Sequence, residues 1–247
     1  MILYGEHKQE INKTIDIFVQ YISHINLSDY FDIFITDDIC NDFKLFDHKC
    51  KTTTDIGGVT ILPTRRNDII HILINNNSFI TGDAYTIILH ELAHVYDFVQ
   101  FASYYCNNKL YKIRKHKYYK SFILWSEFHV KQVDFMFPAM ISYALQGLTE
   151  TQITQEFAKD IETIYYNVCT QKYINKSDIS IKDTMWYLGE LYICNLYGNH
   201  IYSIPQDVIN KCDFISYLYK ILIDCPNFEE YPLVAKRLDE FLYHKKM

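Results

Sequence analysis

Ile87-Ile88-Leu89-His90-Glu91-Leu92-Ala93-His94-Val95-Tyr96 is the stretch around which the rest of the chain arranges itself. Apolar residues fill most positions outside the trio His90, Glu91 and His94, and they continue to Phe98, so a buried helix from about Thr81 to Tyr104 is expected. Residues four apart share one face of a helix, with Cβ atoms about 5–6 Å apart, so both imidazoles can reach a single cation. Glu91 sits about 100° further round, which carries its carboxylate to the open side of such a cation, where it can hold a water. Three ionisable groups on a buried turn are costly unless something binds them together.

Upstream of this helix, Phe31-Asp32-Ile33-Phe34-Ile35-Thr36 alternates apolar and polar residues before the Asp37-Asp38 break and reads as a strand. Gly57-Gly58-Val59-Thr60-Ile61-Leu62-Pro63 and Ile69-Ile70-His71-Ile72-Leu73-Ile74 read as two more, and the flanking glycines and proline suit an edge position for the first. Residues 6 to 25 carry helical spacing through Ile11, Ile15, Phe18 and Ile22, while residues 39 to 55 carry no clear period.

Downstream the pattern is helical. Ser121 to Phe137 is strongly apolar, with Pro138 expected to end or kink it. Thr149-Glu150-Thr151-Gln152 has the form of a capping box that opens a helix to about Gln171. Further helices are expected over 180–197, stopped by Gly198, then over 205–223 from Pro205, and over 228–244. The fold class is therefore α+β: a small antiparallel or mixed sheet packed on the His90–His94 helix, followed by a largely helical C-terminal half.

A catalytic zinc site takes three protein ligands and keeps one position open. Glu127, in Trp125-Ser126-Glu127-Phe128-His129, is the first candidate for the third ligand, because it is a carboxylate set among apolar neighbours on the next long helix. An ion pair with Lys131, one turn on, is its ordinary alternative. His129, Asp134 and Glu190 follow as candidates. Metal-bound imidazoles also need an acceptor for their second nitrogen, and Asp97, seven residues after His90, or Asp134 can supply it.

His-Glu-x-x-His followed on a later helix by a ligand glutamate resembles the gluzincin metallopeptidases. The compact chain, with a small sheet before the metal helix, is most similar to the cytosolic ImmA/IrrE-type peptidases. The likeness covers roughly residues 55 to 135. The longer metzincin pattern is absent, since Asp97 and Gln100 stand where its glycine and histidine would be. Lys131 likewise stands where thermolysin-like enzymes keep an aspartate that supports a zinc histidine.

The resemblance implies a zincin-like core over residues 1–146 and a helical part over 147–247 packed on it as one unit. It implies Zn2+ held by His90, His94 and Glu127, with Glu91 as general base in peptide hydrolysis. By the same resemblance an extended protein or peptide substrate pairs with the edge strand at Gly58 to Leu62. Tyr85, Tyr187, Tyr192 and His200 are the candidates for stabilising the oxyanion. The alternative from another class is a non-catalytic zinc-containing regulatory or protein-interaction module, in which His129 or Asp97 closes the fourth coordination position.

Composition narrows the remaining choices. A net charge of −6 counts against nucleic-acid binding, and the basic run Lys109 to Lys117 is expected to be a solvated connection. With 22 Tyr and 16 Phe but only 7 Gly, the chain suits a compact helical interior built from large rings. Its 7 cysteines are odd in number and form no C-x-x-C pair, so reduced thiols are expected. No apolar run is long enough to span a membrane, and Met1 to Lys8 carries no signal-peptide pattern, from which a cytoplasmic location is expected. Nothing in the composition bears on oligomeric state.

Overall fold

The computed structural model describes residues 1–46, 57–223 and 225–245, the side chains at 144, 145, 150 and 167–169 excepted. The chain divides into two compact units, Met1–Tyr119 and Lys120–Met247.

The first unit is α+β. It runs β1 (Leu3–Tyr4), α1 (Lys8–Phe18), β2 (Phe31–Thr36), α2 (Ile39–Phe46), β3 (Gly58–Ile61), β4 (Ile70–Asn75), α3 (Asn77–Thr81) and α4 (Ala84–Tyr105), then a 3₁₀ turn at Leu110–Lys115. The four strands form one mixed sheet in the order β1-β2-β4-β3, with β1, β2 and β4 parallel and β3 antiparallel to β4. β4 lies inside the sheet, so Ile70, Ile72, Leu73 and Ile74 are buried on both faces and read as a continuous apolar run.

The strand expected over residues 31–36 occupies those residues, and β3 is an edge strand as its glycines suggest. The two-residue β1 is too short to leave a periodic signal. Of the stretch 39–55, residues 39–46 form α2, and the part from 47 onward lies outside the described residues.

The sheet has two unlike faces at its β3 edge. Register pairs Val59 with Leu73 and Ile61 with His71 on one side, where Ile61 and Leu73 pack with Ile39 and Phe43 of α2. On the other side Gly58 pairs with Ile74 and Thr60 with Ile72, and this face meets α4. Helix α4 begins after Gly82, whose φ of +85° ends α3, so the helix starts three residues later than the apolar period alone indicates. It is buried along nearly its whole length, and α1 packs on it through its stripe of Ile11, Ile15 and Phe18.

The second unit is helical: α5 (Tyr119–Leu145), α6 (Glu150–Ile164), α7 (Gln171–Ile174), α8 (Ile181–Tyr197), α9 (Gln206–Lys211), α10 (Ile215–Leu222) and α11 (Tyr231–His244). Its core is aromatic. Phe122 and Trp125 of α5 meet Phe228 and Tyr231, the Trp125 indole N–H donates to the Cys225 carbonyl at 3.0 Å, and the Ser121 and Tyr231 hydroxyls are 3.2 Å apart.

Helix α6 opens on the expected capping box of Thr149 and Gln152, then passes through a π-helical stretch at Tyr165–Thr170 into α7. Helix α8 has a second capping box, Ser180 with Asp183, and ends at Gly198. One expectation is narrowed and one corrected. Of the two outcomes expected of Pro138, ending α5 does not occur, since the helix continues to Leu145 without the donor that would reach the Asp134 carbonyl. The single helix expected over 205–223 is two, because the backbone at Cys212 turns away from helical values (φ −144°, ψ 88°) as its buried thiol meets the Thr184 hydroxyl at 3.3 Å.

Candidate metal centre

Helix α4 presents His90 and His94 one turn apart, half-buried, with ring centroids 5.0 Å apart and the planes nearly perpendicular. Glu91 between them is buried, and its carboxylate is held from the sheet: the Thr60 hydroxyl donates to Glu91 Oε2 at 2.6 Å. That contact requires β3 and α4 to come very close, and two glycines permit it. A Cβ on Gly58 would lie 2.6 Å from Ile87 Cγ2 and 3.1 Å from Glu91 Cγ, and one on Gly57 would lie 2.4 Å from Ile87 Cδ1. Gly58 and Thr60 are two apart on a strand, so both face the helix. One supplies the space and the other the donor.

Glu127 is a residue of α5 and is buried at 9 % exposure. Helix α8 surrounds its carboxylate. The Trp186 indole N–H donates to Oε2 at 2.8 Å, and the Lys182 ammonium pairs with Oε1 at 2.8 Å. Lys182 and Trp186 are four apart and so lie on one face of α8. A further glycine brings that face in: a Cβ on Gly189 would lie 2.5 Å from the Phe128 carbonyl oxygen and 3.1 Å from Lys131 Cβ.

Lys131, the partner expected for Glu127 in an ion pair, pairs instead with Asp134 at 3.0 Å and with Glu190 at 3.4 Å, so the ion pair of Glu127 is made by Lys182. Glu190 is almost fully buried at 1 % exposure, and burial pushes its carboxyl above the usual range against the opposing pull of Lys131 and Lys172. Glu190 and Asp134 are thus members of a lysine network, while His129 stacks on Trp125 with centroids 5.1 Å apart.

One ligand atom from each of His90, His94 and Glu127 lies within 4.8 Å of the other two, and among the described residues this is the group of metal-ligating side chains so gathered. Two imidazoles and a carboxylate are the donor types that zinc takes in catalytic sites. The donor set could hold a metal ion, and zinc is among the ions that take these donor types.

No protein-family model, curated protein or solved structure matches this chain.

The other sequence candidates sit as follows. Asp97 is fully buried on α4. The Tyr85 hydroxyl is buried without a hydrogen-bond partner among the described residues, and burial pushes its pKa up to about 12. Tyr187 is buried against Tyr173, burial raises the Tyr192 hydroxyl, and His200 packs on the Tyr202 ring. Sequence reasoning missed Thr60, Lys182 and Trp186. Thr60 carried one available signal, a hydroxyl two residues from a glycine on an otherwise apolar strand. Lys182 and Trp186 carried none, because only the packing at Gly189 aims them at Glu127.

Proposed function

We propose that the chain is a zinc-dependent peptidase that hydrolyses peptide bonds in a protein or peptide substrate, with zinc ligated by His90, His94 and Glu127 and with Glu91 as general base. The observation that carries this reading is the gathering of those three ligand atoms within 4.8 Å, two of them on the turn of α4 that also bears Glu91. On this reading the sheet and α4 form a zincin-like arrangement of the gluzincin kind, similar to that of the ImmA/IrrE-type peptidases. Cysteines that form no C-x-x-C pair suit a reducing compartment, and on that reading of the sequence we place the protein in the cytoplasm. No helix among the described residues is long and apolar enough to cross a membrane.

Zinc held by this group supplies Lewis acidity, polarising the scissile carbonyl and acidifying a water molecule. Glu91 takes the proton from the attacking water and delivers it to the leaving amine. The Thr60 hydroxyl fixes one carboxylate oxygen, so the plane of Glu91 is set before substrate arrives. β3 ends the sheet order, and its outer edge offers main-chain donors and acceptors to an extended peptide.

Elemental analysis of wild-type and Glu127→Ala protein at neutral pH tests the ligand set: one zinc per chain is expected in the wild type and little in the variant. Cleavage of a proteome-derived peptide mixture by wild type and not by zinc-loaded Glu91→Gln tests the chemistry. Zinc retained in both proteins with no cleavage by either would assign the site to a structural or regulatory role instead.

A further inference from the structure

Glu127 is gripped by two groups of different kinds, a neutral N–H and a cation. We infer that Trp186 is a positioning residue that orients Glu127 for the metal, and that Lys182 fills the cation's place beside Glu127 until the metal displaces it. The inference rests on Glu127 being a ligand and adds what prepares it for that task.

The geometry separates the two roles. Trp186 Nε1 donates to Oε2 at 2.8 Å from a ring that is only partly exposed, on a helix locked against α5 at Gly189. An indole N–H is a donor with no charge, so it can hold one oxygen of a carboxylate while the other oxygen, or the same one, bonds a cation. Lys182 differs in each respect. It reaches Oε1 at 2.8 Å from a side chain about half exposed (51 %), and its ammonium also lies over the Trp186 ring, 4.9 Å from the centroid. A flexible, half-exposed ammonium that has a second resting place over an aromatic face can leave the carboxylate at little cost. Lys131 and Lys172 also approach the same ring at 5.8 Å, but both are tied to Glu190, so Lys182 is the lysine of this cluster paired with Glu127. The outer bonds of a metal ligand usually change affinity by about 10–100-fold when removed. Removal of a competing, half-exposed cation has the opposite sign and a smaller size.

Zinc affinity of the full-length apoprotein, measured by competition against a chelator of known affinity, tests both halves. Trp186→Phe keeps the ring and removes the N–H, and should bind zinc about 10–100-fold more weakly, with unchanged thermal stability in the metal-free state. Lys182→Met keeps the aliphatic stem and should bind zinc about two- to fivefold more tightly. Unchanged affinity in Trp186→Phe, or weaker binding in Lys182→Met, overturns the assignment.

A second measurement needs no variant. In wild-type protein labelled at the indole nitrogens, zinc should shift the Trp186 N–H resonance and leave that of Trp125, bonded to the Cys225 carbonyl, in place. A Trp186 resonance that does not respond also overturns the assignment. Failure of the wild type to bind zinc removes the proposed function together with this inference. Zinc binding by the wild type with unresponsive variants removes the inference alone.

Discussion

Glu91 and Glu127 are both buried carboxylates on long apolar helices, and each is brought to its partners by a glycine that lets a neighbouring element approach at backbone distance. They differ in what meets them. Glu91 takes a neutral hydroxyl from Thr60, whereas Glu127 takes an ammonium from Lys182 as well as an indole N–H from Trp186. A carboxylate steadied by a hydroxyl is held in a fixed orientation, as a general base must be. A carboxylate that already holds a cation is a seat in which one cation can replace another. The two environments therefore suit the two roles proposed for them, general base and metal ligand, although the side chains are chemically identical.

The contrast breaks most sharply at Glu91. Glu91→Gln should lower the turnover number about 10²–10⁴-fold while zinc content stays at the wild-type level; a loss of zinc instead would make Glu91 a ligand and erase the distinction. Next in size is Gly189→Ala, whose new methyl must push α8 away from the Phe128 carbonyl. It should cost about 1–3 kcal/mol in thermal unfolding and weaken zinc binding, because Lys182 and Trp186 retreat with the helix. Thr60→Val removes the donor to Glu91 and keeps the shape, so kcat should fall about tenfold with zinc affinity unchanged; equal loss of both would tie β3 to the metal as well as to the base.

The smallest effect belongs to Asp183, which closes the capping box of α8. Burial pushes its carboxyl up, but hydrogen bonds from Lys176 and Ser180 outweigh this and hold it below the ordinary value of 3.8. The fold therefore gains from the ionised form above that value and loses the gain as pH falls through the lower folded-state value. Asp183→Asn should cost about 1 kcal/mol at neutral pH in chemical denaturation, with the difference from wild type shrinking below about pH 4.

The sequence was most legible where function and local structure used the same period. The spacing of His90 and His94 is both a helical repeat and the spacing of the proposed ligand pair, and Phe31 to Thr36 alternates because one residue in two faces the core. Glu127 stood out as a charge in an apolar run, which is a local signal of a non-local need. Thr60, Lys182 and Trp186 were illegible because their meaning lies in close approaches at Gly58 and Gly189, and a glycine announces freedom of approach without naming what approaches. The break at Cys212 failed for a related reason: its apolar period continues from 205 to 223, but a buried thiol on α8's Thr184 outweighs helical propensity at that point. Pro138, expected to end or kink its helix, does not end it. Packing along a 27-residue helix outweighs the single hydrogen bond that the proline removes.

The thiols add a consequence for how the centre acquires its ion. Thiolates are softer and stronger zinc ligands than imidazole or carboxylate, and reactivity depends on exposure and on ease of deprotonation. Among the described residues Cys106, Cys194, Cys212 and Cys225 are buried, and burial raises the first, third and last of these, with Cys225 pushed up to about 12. Folding thus removes these four thiols from the competition, while the imidazoles of α4 stay half open to solvent. If the proposed centre binds zinc, a chain that folds before it meets the ion offers it histidine and glutamate in preference to these four thiols.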